Sequence, residues 1–130
     1  MPKIFFTYTA IIEALTGLGL IIAPATVARL LLGAELSGAL AVVLAMVAGA
    51  AICSIALFSW LSRSNAFVVV VLPVLLFYNF AVSIILLYAS LGFGYKGIPL
   101  WGVIIFHLAQ SAFCVILLKK QKGKESKKNE

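Results

Sequence analysis

The chain is short of charge. Of its 130 residues 11% are charged, where a soluble domain carries about a quarter. Only four residues are Asp or Glu, and one is His. With so few acids, paired carboxylates for general acid–base work and a Ser/His/Asp arrangement cannot be picked out. A b-type haem held between two histidines is excluded within one chain, unless a dimer uses His107 twice. Cysteine is scarce too: Cys53 and Cys114 both lie deep in apolar runs. They have neither metal-site spacing nor the density of a disulfide framework, and read as small packing residues.

What the chain has in abundance is apolar sequence. It is 64% hydrophobic, with a mean hydropathy of +1.18. One domain of this length cannot hide that much apolar surface from water, so its solvent is lipid. A span needs roughly 20 apolar residues to cross about 30 Å of hydrocarbon. Four segments qualify, near 4–23, 37–61, 66–89 and 100–118. Backbone groups in lipid must bond internally, so all four are expected to be helices. The fold class is all-α: a polytopic membrane protein, a four-transmembrane-helix antiparallel bundle over residues 1–118. The tail 119–130, "KKQKGKESKKNE", is polar and charged and is expected to be disordered. The first run follows a single Lys and lacks a small-residue cleavage site, so it reads as a span and not as a removed signal peptide.

"LSRSN" joins the second and third spans as a tight hairpin. "PATVARLLLGAEL", residues 24–36, is long enough for a short interfacial helix. Pro24 suits its start and Gly33 its end. Val27, Leu30 and Leu31 would share its apolar face, with Arg29 elsewhere; an irregular loop is the alternative. Four spans put both termini on one side, together with Lys3, Arg63 and the lysines at 119, 120, 122, 124, 127 and 128. Arg29 and Lys96 fall on the other side. The positive-inside rule then places both termini in the cytoplasm, in a bacterial inner membrane. Because the positive charge is concentrated in a tail, its natural partner is the lipid headgroup layer, and nucleic acid is not indicated.

Small residues recur every fourth position in the second span, at Ser37, Ala41, Ala45, Gly49 and Cys53. Such stripes let membrane helices approach closely. Packing within the bundle is one use, and a homo-oligomer seam through Ala41, Ala45, Gly49 and Cys53 is the other. Pro73 predicts a mild kink in the third span.

The polar residues inside the spans are few and repeat at helical spacing. Thr9, Glu13 and Thr16 share a face of the first span. Asn79 and Ser83 share one in the third, beside Tyr78. His107, Gln110, Ser111 and Cys114 share one in the fourth. Glu13, Asn79 and His107–Gln110 all fall near the middle of their spans. A charged group there costs roughly 2.5–3.5 kcal/mol even on lenient scales. Glu13 should therefore face inward and find partners among Thr9, Thr16, Tyr78, Asn79, His107 and Gln110, or be protonated; these residues and Ser111 are the candidate ligand-binding set. His107 is the only basic candidate at that depth, and Glu13 and His107 are expected to meet, directly or through water. The protonation state of Glu13 stays open, because burial and a nearby imidazolium act in opposite senses.

Two decoys need separating from this cluster. "GFGYKG", residues 92–97, spells G-x-G-x-x-G, but it follows a membrane helix rather than a strand and so lacks the dinucleotide-binding context. Trp60 and Trp101 fall at span ends, where interfacial anchoring is the ordinary role.

"GLGLIIAPATVARLLLGAEL", "LLFYNFAVSIILLY" and "PLWGVIIFH" resemble stretches of small bacterial four-helix membrane proteins of the DoxX-like kind. The residues that carry the likeness include Tyr78, Asn79, Leu100, Trp101 and His107. The resemblance implies a four-helix fold and transfers no catalytic residue. It also implies an accessory role linked to quinone chemistry as one reading. Three expectations follow. The first is a midplane polar pocket that binds or moves a small ligand or proton. The second is an accessory or redox-associated subunit of a larger membrane complex, in contact with quinone or haem. The third is a purely structural or assembly protein. None requires catalysis by this chain, and the sequence specifies no cofactor.

Overall fold

A computed structural model describes residues 2–64 and 67–126. Five helices make up nearly all of it: α1 (Pro2–Ile22), α2 (Pro24–Leu32), α3 (Ala39–Leu61), α4 (Val68–Gly92) and α5 (Leu100–Ser126). A single 3-10 turn, Ser62–Ser64, follows α3. The stretches Lys3–Ile22, Ala39–Ser64, Val68–Gly92 and Leu100–Gln121 are long and apolar enough to cross a membrane. The protein is an all-α, polytopic helical bundle.

Local chemistry explains most of the boundaries. Pro24 has no N–H to continue α1 and instead opens α2, where its fixed φ suits the first turn. Gly33 ends α2 in the left-handed region, at φ 68°, and its N–H bonds the Arg29 carbonyl at 2.9 Å. In α2, Ala28 is the buried residue; Val27 and Leu31 differ from it, being more exposed, and Leu30 is 56% exposed. The inward face is thus centred on Ala28, with Val27 and Leu31 at its sides and Leu30 outside it. Gly38, at φ 83°, stops α3 from beginning at Ser37. Pro73 sits on the exposed face of α4, which continues through it to Gly92.

The tail departs from expectation. Helix α5 continues past Leu118 to Ser126, so residues 119–126 are helical rather than disordered. An α-helix satisfies its own backbone as it leaves the bilayer. Residues 127–130 lie outside the described residues.

The spans form two closely packed pairs, α1 with α3 and α4 with α5. In the first pair the backbones nearly touch. A methyl group on Gly49 would lie 2.6 Å from the Gly17 carbonyl oxygen, and one on Gly17 would lie 2.6 Å from Cys53 Sγ. The small-residue stripe of α3 therefore meets α1 of the same chain at Gly49 and Cys53. That engages the C-terminal half of the seam anticipated for a second copy, Gly49 and Cys53. The pairs then meet across a core of Phe6, Val68, Val71, Leu72, Leu75, Cys114 and Leu117. These residues all lie in the half of the bundle nearer the termini.

On the opposite side the connecting segments brace each other. The Lys96 N–H bonds the Leu32 carbonyl at 3.2 Å, tying the loop after α4 to the end of α2. A Cβ on Gly97 would overlap the Leu31 carbonyl, so only glycine permits this approach. Many large apolar side chains point outward, among them Leu40, Val47, Leu57, Phe77, Ile85 and Ile105. In lipid these are the solvated faces. At the hairpin end the Arg63 guanidinium lies 3.1 Å from the Trp60 ring centroid and its Nε donates to the Trp60 carbonyl at 2.9 Å. This holds a cation over an aromatic face where the spans end.

Candidate functional site: a polar layer between the helix pairs

The polar side chains gathered near mid-bundle come from α1, α4 and α5. Thr9 and Glu13 are one turn apart on α1. Tyr78, Asn79 and Ser83 lie on α4, and His107, Gln110 and Ser111 on α5. Glu13, Asn79 and Gln110 stand near the midpoints of their spans, and each is buried.

Glu13 is 2% exposed. The Tyr78 hydroxyl donates to its Oε2 at 3.0 Å. Its other oxygen, Oε1, is buried and has no hydrogen-bond partner among the described residues. An ionised carboxylate would want a donor there, and a protonated one an acceptor or donor according to which oxygen carries the hydrogen. Either way a bond is left unmade.

Asn79 is fully buried and sets the state of the imidazole beside it. Its Nδ2 donates to the Leu75 carbonyl at 2.7 Å, which leaves Oδ1 facing His107 Nδ1 at 2.6 Å. Oδ1 can only accept, so Nδ1 must carry a hydrogen. In the neutral ring, Nε2 is then the lone-pair nitrogen, available as a base or acceptor. The Tyr78 and His107 rings meet edge to face, with centroids 5.8 Å apart. Tyr78 thus touches both titratable groups.

Thr9 and Gln110 join α1 to α5. The Thr9 hydroxyl and the Gln110 amide are paired at 3.3–3.4 Å, beyond the usual span for strong bonds. Gln110 also lines a groove of about 440 Å³ between α1 and α5, walled by Phe5, Tyr8, Phe106, Ala109 and Phe113. The groove is otherwise apolar and opens on the outer surface of the bundle.

Several expected members take other roles. Glu13 and His107 form no ion pair among the described residues. Tyr78 pairs with the carboxyl group and Asn79 with the imidazole, so of the two ways in which Glu13 and His107 were expected to meet, directly or through water, the direct one is not seen. Thr16 is exposed and bonds its own Ile12 carbonyl at 2.9 Å. It lies a turn beyond Glu13, where α1 leans on α3 through Gly17 and its other face is uncovered. Ser111 is buried, but donates to the His107 carbonyl at 3.0 Å within its own helix. Ser83 does the same to the Asn79 carbonyl at 2.8 Å.

Sequence reasoning missed the groove. Its signal was an aromatic spacing of three to four residues, Phe5 and Tyr8 on α1 and Phe106 and Phe113 flanking Ala109–Gln110 on α5, which reads equally well as ordinary lipid-facing surface. It also missed Ser59, which is fully buried with an unpartnered hydroxyl. Among the described residues no group of three or more His, Cys, Asp or Glu could hold a metal ion. No family model, curated protein or solved structure matches the chain.

Proposed function

We propose that this chain is a small integral membrane protein that holds a proton or a small hydrogen-bond-donating ligand at Glu13, near the bilayer midplane. The observation that carries the reading is Glu13 Oε1, a buried carboxyl oxygen with no partner. Buried polar atoms are nearly always satisfied, so an exception on an ionisable group calls for an explanation, and a functional role supplies one. An ionisable residue within a membrane span is by default a functional group. Tyr78 would orient the carboxyl, and His107 Nε2 would be a second acceptor on the facing helix. The termini are placed in the cytoplasm of a bacterial inner membrane, because Lys3, Arg63 and the tail lysines share that side. The DoxX-like resemblance points to the same four-helix plan and brings no chemistry to these residues.

Infrared difference spectroscopy of the protein in nanodiscs tests the proposal. A pH step or addition of a small amine should change a carboxyl band that is absent from Glu13→Gln. If wild type and Glu13→Gln give identical difference spectra across the accessible pH range and with every donor tried, the polar layer is packing alone.

A further inference from the structure

The groove and the polar layer share one residue, Gln110, which lines the groove and is weakly paired with the buried Thr9 behind it. Resting on the reading of Glu13 above, we infer that the ligand is an amphiphile: a long apolar chain lying in the α1–α5 groove, with a hydrogen-bond-donating head that reaches past Gln110 to Glu13.

Four observations converge. The groove, at about 440 Å³, is within the 300–1,000 Å³ range typical of small-molecule sites. Its walls are largely aromatic: Phe5 and Phe113 pack with centroids 4.8 Å apart, and Tyr8 and Phe106 add two more rings. Its one buried polar side chain is Gln110, 7% exposed, whose bond to Thr9 is long enough to exchange for a better partner. Glu13 follows Thr9 by one helical turn on the same side of α1, with Oε1 unpartnered. The slot thus ends against Gln110, and behind Gln110 lie two further acceptors, Thr9 Oγ1 and, one helical turn on, Glu13 Oε1. A head that only accepts hydrogen bonds would find Gln110 Nε2 and little more. A head that donates would satisfy Glu13. Because the groove opens on the lipid-facing surface, the ligand would enter sideways from the bilayer, without crossing the apolar core at Phe6, Leu72 and Leu75.

The test uses the full chain in phospholipid nanodiscs and a long-chain primary alcohol bearing a diazirine in its chain. Photolabelling should map to groove residues such as Phe5, Tyr8 or Phe113. Dodecanol and dodecylamine should compete at concentrations at least tenfold below dodecyl methyl ether, which has the same chain and no donor. Ala109→Trp, at an exposed position, should fill the slot and abolish labelling. Ala109→Leu offers a smaller plug if the tryptophan variant loses its helical circular dichroism. Equal competition by the ether would mean that the groove holds any bilayer chain and would overturn the inference, as would undiminished labelling of a folded Ala109 variant. The infrared band separates this failure from failure at Glu13. A head-blind groove in a protein that retains the Glu13 band removes only the amphiphile, whereas loss of the band removes the reading beneath it.

Discussion

The tight approach of α1 and α3 makes a quantitative claim about two glycines. Replacing Gly49 with Ala puts a methyl 2.6 Å from the Gly17 carbonyl oxygen, 2.9 Å from Leu20 Cβ and 3.0 Å from Ile21 Cγ1. None of these is the loose end of a long side chain, so the helices must part. Overpacking of this kind costs about 1–3 kcal/mol. Gly→Ala also brings up to ~1 kcal/mol of helix propensity in return. A methyl added at Gly102, in α5, would meet nothing within 4 Å, so Gly102→Ala gains propensity without the clash. The two variants should therefore differ by ~1–3 kcal/mol, with Gly49→Ala the less stable, in reversible unfolding in mixed micelles. Gly17→Ala adds a sharper arm, because one of its three close contacts is Cys53 Sγ at 2.6 Å and the others are backbone atoms. Cys53→Ala should partly rescue Gly17→Ala and leave Gly49→Ala unrescued. Equal stability of Gly49→Ala and Gly102→Ala would show that the helices do not approach as described.

Other expectations can be checked separately. Tyr78→Phe removes the one hydrogen bond to Glu13 found among the described residues and should cost about 0.6 kcal/mol, the average for cross-helix bonds in membranes, with about 1.7 kcal/mol as the upper bound; unchanged stability would mean that Glu13 has another partner. Nitrogen NMR of labelled His107 should find the hydrogen on Nδ1, and Asn79→Leu should remove that tautomer preference; a wild-type ring protonated only at Nε2 would contradict the Asn79 geometry. In a background with Cys53 and Cys114 replaced by alanine, a cysteine at Ser64 should react with a membrane-impermeant reagent from the cytoplasm only, and one at Ile98 from the opposite side only. The reverse pattern would invert the proposed orientation.

Sequence alone carried the fold far and the site only in outline. The four spans were legible because lipid imposes one length and one secondary structure on each apolar run. Pro24 and Gly33 marked α2 because one lacks an N–H and the other accepts a positive φ. Depth along each span brought Glu13, Asn79 and Gln110 to one level, and that level is where they are buried. What depth could not give was azimuth. Tyr78 and Asn79 are neighbours on α4, about 100° apart around it, and which of the two met Glu13 depended on how the α4–α5 pair turns against α1. Opposite charge favoured His107 as the partner of Glu13, but the Asn79 amide had already committed the imidazole. The helical tail was missed for another reason: composition argues disorder, while α5 needs no bilayer to keep its own hydrogen bonds.

The division into two pairs bears on why a carboxyl group is present at all. Small residues weld α1 to α3 without any polar contact at Gly17 and Gly49. The three cross-helix side-chain bonds among the described residues run elsewhere: Thr9 with Gln110, Glu13 with Tyr78, and Asn79 with His107. Two of the three join one pair to the other, so the polar layer does register the pairs. Glue of that kind is worth about 0.6 kcal/mol per bond on average. An ionised carboxylate at the same depth costs roughly 2.5–3.5 kcal/mol on lenient insertion scales. The single bond from Tyr78 cannot offset that. Glutamine at this position would keep the acceptor for Tyr78 without the charge. If Glu13 is protonated the charge penalty goes, but one bond at the carboxyl remains unmade. Packing between helices accounts for neither cost, whereas the proposed exchange of a proton or contact with a donor at Glu13 would account for one of them.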